Sequence, residues 1–119
     1  MFRFLLLVVA ALALAGCGFG DINDADGTPP AILITKPAGT SVQGVVDFAA
    51  AVIDNVGVQV VEFYVDDELL YTDFTEPYET RWDTLGRADR TVVLKVQARD
   101  LSGNQSLTSK EVTVANSPN

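Results

Sequence analysis

The stretch VVLKVQAR, residues 92–99, alternates apolar and polar side chains almost without a break. In an extended chain neighbouring side chains point to opposite faces, so Val92, Leu94, Val96 and Ala98 line a core while Lys95, Gln97 and Arg99 meet water. A helix would scatter the same residues around its circumference. Residues 61–65 repeat the rule, with Val61, Phe63 and Val65 inward and Glu62 and Tyr64 outward. In 45–53 the inward set is Val46, Phe48, Ala50 and Val52. Further strands are expected at 31–35, 69–73, 78–82 and 106–114, which makes seven. Turn chemistry separates them: Lys36-Pro37-Ala38-Gly39, Asp54-Asn55-Val56-Gly57, Asp66-Asp67-Glu68, Glu76-Pro77 and Ser102-Gly103-Asn104. Short strands broken at such intervals predict an all-β sandwich of two sheets. Its core must hold by packing, and Phe48, Phe63, Trp82, Leu94 and Val96 are its expected centre, each contributing about 1.5–3 kcal/mol when fully buried.

Four words in succession then carry a resemblance: PPAILITKPAGTSVQG at 29–44, AAVIDNVGVQVVEFYVDDELLYTD at 50–73, PYETRWDT at 77–84 and VVLKVQARDLSGNQS at 92–106. In this order and spacing the chain resembles the bacterial immunoglobulin-like domain of exported and surface proteins. The resemblance covers about residues 29–115. It implies an immunoglobulin-like β-sandwich of about seven strands at 31–115, with Trp82 in the core, and it implies no activity. Residues 116–119 are expected to form a disordered tail. Such domains are often repeated in tandem, whereas here the pattern occurs once, which argues against a simple spacer.

Upstream, Arg3 precedes FLLLVVAALAL at 4–14, a charged segment followed by an apolar one, as in a signal peptide. The apolar run breaks at Gly16 and falls short of the roughly 20 residues a membrane span needs. It ends in Leu14-Ala15-Gly16-Cys17, which resembles the lipobox of bacterial lipoproteins. That resemblance implies diacylglyceryl transfer to the Cys17 sulfur, cleavage after Gly16 and acylation of the new amino terminus. Residues 1–16 are then the signal peptide, and the mature chain is exported and anchored in the cell membrane by lipid. Gly18 stands where an aspartate would retain such a protein in the inner membrane, so an outer membrane is favoured where the organism has one. Cys17 is the only cysteine. In an ordinary secretory protein it would be an unpaired thiol in an oxidising compartment, whereas lipidation accounts for both its presence and its solitude.

Cys17 and the run GFGDINDADGTPP at 18–30 form a flexible tether, too poor in large apolar residues to build a core. Its 13 residues give a coil of about 20 Å, or about 40 Å when drawn out, enough to clear lipid headgroups.

Composition narrows the function. The chain carries 16 acidic against 8 basic side chains, and loss of Arg3 makes the mature form more acidic still, so phosphate backbones are repelled and nucleic acid is excluded as a partner. Histidine is absent and the one cysteine is committed to the anchor, which removes the commonest zinc ligands and the commonest general base. No catalytic residues and no cofactor are expected, and the chain is not expected to be an enzyme. Asp66, Asp67, Glu68, Glu76 and Glu79 are dense enough to raise glycoside hydrolysis, but they fall in turns and at strand edges, where charge discourages edge pairing.

The acidic run at 21–27 fails the calcium-loop template, because aligning its glycine puts Ile22 at the first ligand position and Leu33 at the last. In an immunoglobulin-like sandwich the loops at 54–57 and 100–104 share the end where the tether enters. Asp54, Asn55, Asp100 and Asn104, with Asp24 and Asp26, are therefore candidate calcium ligands, against the alternative that each caps its own turn. Tyr64, Tyr71, Phe74 and Tyr78 are the aromatics to watch for an outward ring. These readings leave a lipid-anchored, non-catalytic envelope module acting through protein contact, in adhesion or assembly. The alternative is a carbohydrate-binding module that stacks sugars on exposed aromatics.

Overall fold

The computed structural model describes residues 27–117. The expected signal peptide, the lipidation site at Cys17 and most of the tether lie outside them. Among the described residues eight strands follow one another: β1 (Ala31–Lys36), β2 (Ser41–Val42), β3 (Val45–Ile53), β4 (Val58–Val65), β5 (Glu68–Asp73), β6 (Tyr78–Asp83), β7 (Thr91–Asp100) and β8 (Gln105–Val114). They form an all-β sandwich of a three-stranded sheet, β1-β3-β6, and a five-stranded sheet, β2-β8-β7-β4-β5. All neighbours are antiparallel except β2 and β8, which run parallel.

The alternation in β7 does what its sequence requires. Val92, Leu94, Val96 and Ala98 are buried, and each pairs across the sheet with a partner on β4 or β8. Between the sheets Phe48 and Phe63 meet edge to face with ring centroids 4.9 Å apart, and Trp82 closes the core beside them. All five residues expected at the centre are buried. Trp82 Nε1 is buried without a hydrogen-bond partner, while the Arg87 guanidinium lies 6.0 Å over the indole.

Three features depart from the sequence reading. Ser41–Val42 adds a strand, too short for any alternation to show; Pro37 and a bulge after Ile34 release the chain from the small sheet so that it can reach the large one. β4 begins at Val58 instead of 61, because a second bulge between Val58 and Val60 interrupts the period of two and buries Val60 and Val61 together. Asn116 and Ser117, expected in a disordered tail, are fastened to the fold. The Asn116 side chain accepts from Gly44 N at 2.8 Å and donates to Thr84 O at 2.8 Å, and Asp89 accepts from both backbone amides. Residues 118–119 lie outside the described part.

Candidate functional site

The chain enters at one end of the sandwich and leaves at the other. Pro30 is already docked, its carbonyl accepting from Ser106 Oγ at the start of β8. At this proximal end β1 begins opposite Ile53, and the loops at 54–57, 74–77 and 101–104 come together. The β4–β5 turn, the 84–90 loop and Asn116 occupy the distal end.

Each proximal loop is built on an aspartate turned inward. Asp54 Oδ2 accepts from Val56 N at 3.0 Å and Gly57 N at 3.1 Å, an Asx-turn. Asp73 accepts from Thr75 N at 3.2 Å and Glu79 N at 3.1 Å. Asp100 has no exposed surface; its Oδ1 accepts from Ser102 N at 2.9 Å and Asn104 N at 2.8 Å, and its Oδ2 from Asn104 Nδ2 at 3.1 Å. Burial alone would raise the Asp100 carboxyl, but the bonds from the Asn104 side chain and from the Asn104 and Ser102 amides outweigh it and hold the group below the ordinary carboxylate range. Leu101 N donates to Gly57 O at 3.0 Å and ties two of the loops together.

Beside each aspartate stands a large apolar residue facing out. Ile53 is 72% exposed, Phe74 66% and Leu101 65%, against 8% for Asp73 and none for Asp100. With short polar side chains consumed in holding the backbone, the adjacent positions face water, Ile53 at the end of β3 and Phe74 and Leu101 in the loops. A hollow of about 500 Å³ joins Ile53, Gly57, Val58 and Phe74. A groove of about 590 Å³ continues from Ile53 along Ala49 and Ala51 of β3, walled by Thr35, Lys36 and Pro77.

The calcium candidates are thus brought to one end, but the carboxylate oxygens other than Asp54 Oδ1 are engaged. Asp54 and Asp100 hold backbone amides, Asn104 donates to Asp100, and Asn55 and Asn104 have further partners. Among the described residues no group of three or more acidic, histidine or cysteine side chains could hold a metal ion. Asp24 and Asp26 lie outside the described residues.

The carboxylates considered for hydrolysis fall into two separate groups. Asp66 and Asp67 sit at the distal turn, paired with Arg90 and Lys95, whereas Glu76 lies in the proximal loop at 74–77. The six residues of β5 put about 20 Å between the two loops, beyond the 5–9.5 Å of a hydrolytic carboxylate pair. Where carboxyl groups depart from their ordinary value, at Asp66, Asp89 and Asp100, they move down, away from what a general acid needs.

The aromatics divide as well. Tyr64, expected on the solvent face, is half-buried; Lys95 Nζ lies 5.2 Å over its ring and its hydroxyl donates to Glu62 at 3.0 Å. Burial foremost, then Glu62, raises its hydroxyl above the usual tyrosine range. Tyr78 is buried in the core, and Tyr71 and Phe74 are exposed. Sequence reasoning weighed the loop aspartates as ligands and passed over Ile53 and Leu101. The signal was present as an apolar residue next to each turn aspartate.

Residues 30–115 match the family model described as bacterial Ig domain. No curated protein matches. Among solved structures, the fibronectin(III)-like modules of Clostridium thermocellum CbhA superpose with a TM-score of 0.60 at 26% identity, covering 74% of this chain and 46% of that one. The endo-beta-1,4-mannanase from Thermotoga petrophila gives 0.61 at 17% identity, covering 80% of this chain and 22% of that one, a likeness of fold alone. This chain therefore spans less than half the length of either.

Proposed function

The chain belongs to the bacterial Ig domain family, and from that premise we propose that it is a non-catalytic module, lipid-anchored at the cell envelope, that acts by protein contact in adhesion or assembly. The observation that supports protein contact is the free edge of the five-stranded sheet. β5 has a neighbour on one side only, and it carries Leu69 and Tyr71 exposed. An unpaired strand offers a row of backbone donors and acceptors to an extended segment of a partner, with exposed side chains giving selectivity. The anchor rests on the Leu14 to Cys17 motif and on the tether, which delivers the sandwich at its proximal end.

Stacking on sugar, the second reading, keeps only Tyr71 and Phe74, because Lys95 covers Tyr64 and the core takes Tyr78. The test is photo-crosslinking in intact envelopes from a probe at Tyr71, with a probe at Leu107 on β8 as control. One discrete protein adduct from position 71 that disappears in the Leu69→Asp variant is expected. Equal labelling from both positions, or glycan adducts alone, overturns protein contact at β5. Cys17→Ser is expected to abolish both the acyl mass and the membrane fraction; a protein that stays membrane-bound overturns the anchor.

A further inference from the structure

We propose that the proximal end of the sandwich is a lipid-contacting surface, with Ile53, Phe74 and Leu101 dipping into the boundary between headgroups and acyl chains. The inference rests on the anchoring reading and adds to it how the domain sits. At this end three connections, each between a different pair of strands, pair an aspartate that holds the backbone with a large apolar side chain turned out, Ile53 from the end of β3 and Phe74 and Leu101 from the loops; the distal end has one such pair, Asp83 with Leu85. An end facing only water gains nothing from exposing Ile53, Phe74 and Leu101 side by side, and such clusters mark contact surfaces.

The occupant is set by where the chain enters. Pro30 is fixed at this same end by Ser106, and the 12 residues before it lead back to Cys17. A tether of about 20 Å holds the three tips within reach of the bilayer to which Cys17 would be attached. Acyl chains and aromatic or aliphatic tips share the boundary layer favourably. The aspartates at this end are mostly spent on loop amides, the exposed Glu76 lies two residues from Phe74, and Arg99, donating to Gln59 near the foot of β7, is a cation at the same end. Arg87, Arg90 and Lys95 sit toward the opposite end, with Asp66, Asp67 and Asp89. The acidic sequence as a whole disfavours anionic bilayers, so the surface suits zwitterionic lipid.

The test uses the full lipidated chain in phosphatidylcholine vesicles containing lipids brominated near the carbonyl end of the acyl chain. Phe74→Trp and Leu85→Trp each place an indole at an exposed position, one proximal and one distal, over the constant emission of buried Trp82. The Phe74→Trp protein is expected to shift to the blue on reconstitution and to lose emission to brominated lipid, whereas Leu85→Trp does neither. Equal quenching of both, quenching of neither, or a blue shift without quenching, which marks burial against protein or a second copy, overturns the assignment. The mass of the same preparation reads the anchor separately. A chain without acyl groups on Cys17 overturns the anchoring reading, and the lipid-facing assignment falls with it.

Discussion

The two ends of the sandwich use the same residue type in opposite ways. At the proximal end Asp54, Asp73 and Asp100 turn inward and accept backbone amides, leaving Ile53, Phe74 and Leu101 outside. At the distal end Asp66 reaches across to β7, accepting from Val93 N at 2.8 Å and from Arg90 at 2.6 Å, while Asp67 pairs with Lys95. Asp89 takes the amides of Asn116 and Ser117. Aspartate thus holds loops with exposed apolar neighbours at the proximal end, while the distal end has one such loop, where Asp83 accepts from Leu85 N at 2.9 Å, and adds a charged, hydrogen-bonded seam. The difference lies in what the carboxylates are offered: Arg90 and Lys95 pair with Asp66 and Asp67 at the distal turn, whereas Asp54, Asp73 and Asp100 are met by loop amides and the Asn104 side chain.

Removing the inward aspartate tests this most severely. Asp100→Ala leaves the amides of Ser102 and Asn104 and the Asn104 side chain without an acceptor inside a site with no solvent. Thermal denaturation is expected to show a fall of roughly 10 °C for a domain of this size. Asp89→Ala at the exposed distal seam is expected to shift the midpoint much less. A comparable loss at both positions would mean that the two ends are held alike.

A glycine distinguishes the ends on a smaller scale. Gly57 has φ of +117°, and an added Cβ would lie 3.1 Å from Leu101 Cδ1, so Gly57→Ala combines backbone strain with a tight contact that Leu101 must relieve by a small shift, and is expected to cost about 2 kcal/mol in a urea titration. Gly44, at the distal end, has φ of +67° and open space around the same position, so Gly44→Ala should cost about 1 kcal/mol. Equal losses would show that Leu101 yields freely and that the proximal tip is not packed.

Much of this architecture is legible in the chain because alternation survives wherever a strand has one wet face. Val92 to Arg99 reads unambiguously, and so does the inward set of β3. What escapes is what tertiary placement decides. The two residues of β2 pair only because a bulge steers them to β8. Asn116 lies beyond the last alternating position and becomes structural through Gly44, Thr84 and Asp89, all distant in sequence. Tyr64 has the pattern of a solvent-facing ring, and only the neighbouring strand reveals that Lys95 covers it. At the proximal loops the aspartates drew the eye because their chemistry is conspicuous, and their exposed neighbours carried the pattern.

Acid and salt separate the two ends further. The Val93 amide foremost, and then Arg90, holds the Asp66 carboxyl below the ordinary range despite partial burial. A carboxyl whose pKa is lower folded than unfolded contributes stability that is fully present above about pH 4 and is lost as pH falls through the folded value. Asp100 follows the same sign. Asp66→Asn is expected to cost about 1 kcal/mol at neutral pH and to flatten the acid limb of the stability profile, with the effect shrinking in about 1 M salt, where screening reaches about 3 Å. For Asp100→Asn the loss should persist in salt, because its partners are amides out of solvent. Salt sensitivity at both positions, or at neither, would erase the contrast.

The exposed tips should matter little to folding. Phe74→Ser removes a side chain that is mostly in water, so chemical denaturation in the absence of membrane is expected to move by less than about 0.5 kcal/mol. A loss of the size seen for core aromatics would place Phe74 in the packing of the domain and detach it from any role at a surface.

Calcium provides the smallest expected effect and the finest discrimination between a loop built by aspartate and a site awaiting a cation. The ion takes six to eight oxygens, mostly carboxylate or carbonyl, at 2.3–2.6 Å. At the proximal end both Asp100 oxygens already accept hydrogen bonds, and Asp54 Oδ2 serves two amides. Asp54 Oδ1 alone is buried without a partner. One open oxygen is not a coordination shell, and recruiting the others would free amides that the loops cannot satisfy elsewhere. Millimolar calcium is therefore expected to leave the melting temperature unchanged in the native chain and in Asp54→Asn alike. A calcium-dependent rise that Asp54→Asn abolishes would show that the amide bonds yield to the ion and that the proximal loops are a cation site after all.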